Sequence, residues 1–309
     1  MDIKSCLRNY LGKYWVKIGF LFLKRNHSLK IKNSQETIAY IIKNKCSVSR
    51  YGDGEFNMVF HYMDPKKYPI GDSFQKYDEK LAQKLYSLLK EKEQNLNHIV
   101  CIPYWFISNF NYYIKETRFF CKEYLLKNHL RIFNVLNSER TYYDANISRF
   151  YLSFKDKSHC REYVSTLQQI WENRDIYFVE GEFSRLGLGN DLFKNSASIH
   201  RILCPAINAF DYYNEILETI IKTVPLDGLI IIALGHTATV LAYELSSYGY
   251  QAIDLGHIDV EYEWMLQGAK TKIALSNKYV NEVNGGNFCE KECLDVTYQK
   301  QIIAKVFCK

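Results

Sequence analysis

Three short stretches of this 309-residue chain carry side chains that together could handle a negatively charged substrate. The first is Arg50-Tyr51-Gly52-Asp53-Gly54-Glu55. Read as an extended segment, it points both carboxylates to one side. Asp-x-Glu at a strand end then makes a two-oxygen seat for a hard cation such as Mg²⁺ or Mn²⁺. Gly54 between the acids lets the backbone come close to a ligand. The plainer alternative is a turn with two solvated acids. The second stretch, Glu180-Gly181-Glu182 through Ser184-Arg185, Gly187 and Gly189-Asn190-Asp191, is a strand opening into a glycine-rich loop. Its N–H groups and guanidinium suit a diphosphate, although Leu192 stands where a dinucleotide fingerprint needs its third glycine. A ligand-free turn is equally compatible. In the third, a buried strand ends at Gly235-His236-Thr237 and the next at Asp254, and His257, Asp259 and Glu261 follow, alternating along one face. An imidazole and two carboxylates so placed could complete a metal shell or supply a general base. A histidine in this setting also serves as a structural hydrogen-bonder.

Ligands of open α/β sheets bind at strand ends, and the surrounding sequence predicts such a sheet. From Ser34 onward, helix-like and strand-like stretches alternate. Helices are predicted over 36–43, 77–91, 108–128, 158–171, 212–222 and 237–247. Strands are predicted over 46–51, 98–102, 131–136, 175–179, 201–204, 229–234 and 251–255. Beyond Val283 the pattern fades into Gly285-Gly286 and a mixed tail. The expected organisation is a basic amphipathic segment over 1–32, an α/β domain over 33–285 and a tail over 286–309.

An apolar fraction of 47% with 24% charged residues excludes wholesale disorder. Nine cysteines without zinc spacing argue against a zinc ribbon or disulfide scaffold and fit reduced thiols in a cytoplasm. The net charge of +6 is concentrated at one end. Residues 1–32 carry Lys4, Arg8, Lys13, Lys17, Lys24, Arg25, Lys30 and Lys32 against Asp2 alone. A folded surface without basic excess argues against a nucleic-acid partner. Leu7, Leu11, Tyr14, Ile18, Leu21 and Phe22 give this segment a helical stripe. Its apolar run, 18–23, is far short of the ~20 residues that span a bilayer, and no small-residue cleavage site follows it. Two placements are open for it: peripheral, on the anionic inner face of a membrane, or packed on the core.

The blocks described above occur in one order, together with Ile147-Ser148-Arg149-Phe150-Tyr151, Cys204-Pro205-Ala206-Ile207-Asn208-Ala209-Phe210 and Gly256-His257-Ile258-Asp259. In this the chain resembles the bacterial GT-D-type glycosyltransferases over about residues 38–283. The resemblance implies a Rossmann-like α/β domain, a mostly parallel sheet flanked by helices. It implies transfer of a hexose, glucose in first expectation, from a UDP-sugar to a lipid- or protein-linked glycan acceptor. The setting would be surface-polysaccharide or glycoprotein-glycan assembly. Asp53 and Glu55 match the family's Asp-x-Glu element, which handles the metal and the sugar nucleotide.

On this reading Asp53, Glu55 and His257 hold Mn²⁺ or Mg²⁺. Asp53, Glu55 and Asp259 are catalytic, with Asp259 or Glu261 taking the acceptor proton if configuration inverts. Arg50, Gly52, Ser184, Arg185, Gly187, Gly189, Asn190, Asp191, Asn208, Gly235 and Thr237 contact the donor. Among these, Arg185 and the helix start at Thr237 face its diphosphate. Two other readings compete. One is a nicotinamide-dependent oxidoreductase built on Gly235 and Asp254, disfavoured by the missing glycines after Gly235, where Ala238 and Tyr243 occupy the helix instead. The other is a nucleotide-sugar-binding scaffold without turnover.

Overall fold

The computed structural model describes residues 15–16, 18–21, 23, 29–66, 74–91, 96–280, 282–283, 286 and 292–307. Its strands are β1 (Lys30–Ile31), β2 (Ser47–Arg50), β3 (His98–Ile102), β4 (Thr141–Asp144), β5 (Asp175–Gly181), β6 (Ser198–Cys204), β7 (Leu229–Ala233), β8 (Gln251–Asp254) and β9 (Ile302–Lys305). They form one sheet in the order β1-β4-β3-β2-β8-β7-β5-β6-β9, and every pairing is parallel. The helices are α1 (Ser34–Asn44), α2 (Asp53–Met63), α3 (Glu79–Lys90), α4 (Lys115–Val135), α5 (Cys160–Gln168), α6 (Tyr213–Thr223), α7 (His236–Ser247), α8 (Ile258–Leu266) and α9 (Val296–Gln301).

The sequence dictates this layering. A parallel strand covered on both faces must be apolar almost throughout, and β7 reads Leu-Ile-Ile-Ile-Ala. Alternate residues of β3 serve opposite layers. Val100 and Ile102 pack with Phe56, Leu85 and Leu125, while Ile99 and Cys101 pack with Ile38, Leu167 and Trp264. Helix α3 buries Leu81, Ala82, Leu85, Leu88 and Leu89, a single stripe, and starts where the Asp78 side chain accepts from Leu81 N–H.

Four local expectations are corrected. The predicted helix over 108–128 and strand over 131–136 are one helix, α4. Ile132 and Val135 extend the buried stripe of Cys121, Tyr124 and Leu125. Strand β4 was not expected. Asp53-Gly54-Glu55 is the first turn of α2, not an extended segment. There Glu55, at the third helical position, accepts from Gly52 N–H (2.7 Å) and closes the helix start. His257, Asp259 and Glu261 do not alternate along a strand, because α8 begins at Ile258.

Beyond the fading pattern, α9 leads into β9, which pairs with β6 at the sheet edge. At the other end, the described residues 15–16 and 18–21 are helical. Val16 is buried, and Phe20 packs edge-on to Phe110 with centroids 5.4 Å apart. Trp15, Ile18 and Leu21 stay exposed. The remainder of the predicted amino-terminal stripe, Leu7, Leu11, Tyr14 and Phe22, lies outside the described residues. Among the described residues no helix is long and apolar enough to cross a membrane.

Candidate active site

Strands β2 and β8 lie side by side where the two halves of the sheet meet. β3 and β4 lie beyond β2, and β7, β5 and β6 lie beyond β8. A crevice opens at the carboxyl ends of strands at such a junction. Here it is a cavity of about 350 Å³, of small-ligand size. Gly52, Gly235 and His257, the residues that precede α2, α7 and α8, all line it. Three helix starts thus turn the positive ends of their dipoles toward one space.

Two glycines permit this convergence. A Cβ on Gly54 would stand 2.2 Å from His236 Nε2, and one on Gly235 (φ +53°) would stand 2.1 Å from Phe74 Cε1. The backbone of α2 can therefore start directly against α7. Across that contact, His236 Nε2 lies 3.6 Å from Glu55 Oε1. Glu55 is thereby shared between closing its own helix and facing the imidazole. Asp53 is exposed to solvent, yet it lies in a throat ringed by protein atoms. That crowding, and next the Glu55 charge, raises its carboxyl above the ordinary aspartate value.

Arg50 lines the cavity but spends its guanidinium on the scaffold. It donates to Asp254 O (2.7 Å) and Oδ1 (3.0 Å), to Ala145 O (3.1 Å) and to Ser148 Oγ (2.6 Å). Asp254 is buried, which raises its carboxyl, and Arg50 opposes that shift. With Arg50 on its carboxylate, Asp254 is not the free acid that the nicotinamide reading requires.

The second loop is brought in only partly. Ser184 and Leu186 line the cavity. Arg185, in the left-handed region at φ +49°, instead donates to Asn277 O (3.1 Å) and faces a separate cavity beside α9. Gly187 (φ +71°) and Gly189 (φ +81°) turn the loop without lining the cleft. The loop hangs on a fully buried pair, Glu180 Oε1 and Arg201 Nη1 (2.5 Å), while Glu180 Oε2 accepts from Leu186 N–H. Asn190 donates to Asp259 Oδ1 and Glu263 Oε1 (2.7 Å each). Asp191 accepts from Tyr262 and Lys194 at the surface. Asn208 and Thr237 stand behind the wall of the cleft. Asn208 Oδ1 accepts from Lys76 N–H, and Thr237 Oγ1 donates to Gln75 Oε1 (3.4 Å), which fixes the segment carrying Phe74.

The third stretch is the most engaged. Asp259 lines the cavity at 1% exposure, with Oδ1 held by Asn190 and Oδ2 by the fully buried Lys278 (2.5 Å). Glu261 accepts from the Tyr151 and Leu152 N–H groups (2.8 and 2.7 Å). His257 Nδ1 lies 3.1 Å from Arg149 Nη2. Arg149 also pairs with Glu282. Burial alone would raise Glu282, but Arg149, His257 and Lys272 around it drive its carboxyl well below the ordinary value.

Among the described residues no three His, Cys, Asp or Glu side chains converge as a metal cluster. Asp53, Glu55 and His257 are therefore not brought together as one shell. The donor set still fits Mg²⁺ or Mn²⁺, which take one or two carboxylates and complete their shell with substrate phosphates and water. Sequence reasoning assigned no chemistry to Arg149, Asn146, Phe74 or Tyr279, all of which line the cavity. The block Ile147-Ser148-Arg149 was the available signal for one of them. Phe74 and Tyr279 carry none, since only the fold brings their rings within 6.5 Å.

The doubly wound parallel sheet and its cleft define a Rossmann-like α/β protein. Residues 48–283 match the family model of the glycosyltransferase GT-D fold, and the chain belongs to that family. It is 39% identical over 279 residues to glycosyltransferase GlyD of Streptococcus pneumoniae serotype 4 (strain ATCC BAA-334 / TIGR4), covering 90% of this chain and 33% of GlyD. To the probable glycosyl transferase Gly of Streptococcus gordonii it is 34% identical, covering 90% of this chain and 39% of that protein. The chain thus spans a third to two-fifths of these curated relatives. Two solved structures superpose with a TM-score of 0.81. One, domain of unknown function 1792, described as having a distinct glycosyltransferase fold, is 36% identical, with 96% of this chain and 99% of that chain covered. The other, a new glycosyltransferase from Streptococcus sanguinis, is 33% identical, with 90% and 100% covered.

Proposed function

We propose that this chain transfers a hexose, glucose in the first instance, from a UDP-sugar to a glycan acceptor in surface-polysaccharide or glycoprotein-glycan assembly. The observation that carries the reading is the convergence of three helix starts, Asp53 and Arg149 on one cavity. As the bond to the anomeric carbon breaks, negative charge develops on the diphosphate. Fixed N–H dipoles and a guanidinium already aimed at that space stabilise the charge without reorganising. Asp53, with Glu55 beside it, would hold Mn²⁺ or Mg²⁺, which when bound neutralises part of the same charge. Asp259, with both oxygens engaged, acts by positioning α8. The nucleobase has an aromatic wall available in Phe74 and Tyr279.

A screen of sugar nucleotides for UDP release, with and without Mn²⁺ or Mg²⁺, tests the reading. Cation-dependent release from UDP-glucose is expected, and absence of release from every donor would leave only a scaffold. Calorimetry with UDP adds residue resolution. Loss of one charge-assisted contact, about 1.5–3 kcal/mol, should weaken binding to Arg149→Ala by roughly ten- to a hundredfold. Arg185→Lys should bind as the wild type does, because Arg185 lines a different cavity.

We also propose that the amino-terminal segment holds the protein against the inner, anionic face of a membrane. Exposed Trp15, Ile18 and Leu21 on a segment rich in lysine support this. Changing all three to Ser should abolish co-sedimentation with anionic vesicles at low salt while thermal unfolding is unchanged. Equal pelleting of variant and wild type would end the proposal.

A further inference from the structure

A second cavity, of about 650 Å³, adjoins the donor cleft and shares Asp53, Asn146 and Arg149 with it. Its chemistry differs from that of the cleft. Phe120 contributes an exposed aromatic ring, backed by the buried Trp105, Tyr113 and Trp264, with Glu116 and Thr117 beside it on α4. Phe120 is 44% exposed and lies at the edge of this cavity. Behind it, Trp105 is held edge-on by Phe106 (4.8 Å) and Tyr124 (6.0 Å), with the Phe120 ring 6.3 Å away. An exposed ring held from behind by buried aromatics, beside a few carboxylates and hydroxyls, matches a sugar ring, which has an apolar C–H face and a rim of hydroxyls. A lipid tail would leave Glu116, Thr117 and the shared Asp53 unanswered.

We propose that this second cavity is the acceptor subsite and seats the terminal sugar of a glycan. The C–H face of that sugar rests on Phe120, and its hydroxyl enters the donor cleft past Asp53 and Arg149. This rests on the glycosyltransferase reading above. The hydroxyl oxygen bonds to the anomeric carbon as the carbon–diphosphate bond breaks. UDP leaves with that electron pair, and the hydroxyl proton passes to water in the open cavity.

Saturation-transfer NMR with cellobiose, lactose and diacetylchitobiose, in the presence of UDP and Mg²⁺, tests the assignment. At least one disaccharide should receive saturation from the wild-type protein. Its signal should fall at least fivefold in Phe120→Ala and weaken in Glu116→Gln. UDP signals in the same tubes report the donor cleft separately. Undiminished disaccharide signals in Phe120→Ala, or none in the UDP-bound wild type, would overturn the subsite and leave the donor reading standing. Absence of UDP signals from the wild type would overturn both.

Discussion

Asp53→Asn should lower sugar transfer by about 10²–10³-fold, the scale of losing one preorganised electrostatic partner of a developing charge. The change keeps the shape of the side chain and the start of α2 but removes the charge. Asp53 is exposed, so stability at neutral pH should stay within about 0.5 kcal/mol. Its raised carboxyl adds a pH signature. Protons compete with a cation for Asp53 at a higher pH than at an ordinary aspartate. Mg²⁺ affinity should therefore fall as pH drops through the raised value, and this dependence should vanish in Asp53→Asn. The sign for folding is opposite. A carboxyl raised in the folded state favours folding most below its unfolded value, and that contribution is lost as pH rises through the folded value. UDP-release kinetics and Mg²⁺ titrations from about pH 4, the ordinary aspartate value, upward check the rate loss and the pH dependence of cation binding. Wild-type transfer by Asp53→Asn would remove Asp53 from the chemistry.

The largest stability effect is expected at Lys278. Its ammonium is fully buried between Asp259 Oδ2 (2.5 Å) and Glu263 Oε1 (3.2 Å). Lys278→Met leaves the Asp259 charge buried with Asn190 as its remaining hydrogen-bond partner, a loss of about 3–5 kcal/mol. Adding Asp259→Leu removes the stranded charge and should recover part of that loss, giving a clear coupling in a double-mutant cycle. Thermal or denaturant unfolding of the four proteins measures it. A cost below about 0.5 kcal/mol for Lys278→Met would show that the pair is not desolvated as the structure describes.

Elements with one dominant local signal were legible in the sequence. The runs over β3 and β7 are too apolar for anything but buried strands, and α3 shows its stripe and its Asp78 cap. Glu55 also carried a signal that was read differently. An acid three residues after Gly52, followed by Phe56, Val59 and Phe60, is a helix start, but Gly54 between two acids reads as extended backbone. Arg131 to Val135, with Ile132, Phe133 and Val135, is too short for periodicity to divide between helix and strand. In the site, residue types identified Asp53, Glu55, Ser184 and Gly235 as cleft residues. They could not show that Arg50 is spent on scaffold oxygens, that Arg185 lines a different cavity, or that Arg149 stands in the cleft beside Glu282. Which of several arginines lines the cleft depends on partners far along the chain, as with Arg149 and Glu282.

The junction of β2 with β8 also has a consequence for how the molecule comes to be. Ala252 N–H donates to Ser47 Oγ across 205 residues of chain, and Arg50 reaches Asp254 across 204. Closing a loop of that length is an entropic barrier that local helices do not meet, and such non-local pairings are made slowly. Helices such as α3 and α6 can form while the chain is still searching. The cleft cannot, because its two walls belong to segments that meet only when the search ends. The cleft is therefore among the last features the folding chain acquires, and partly folded species do not present the converged helix starts.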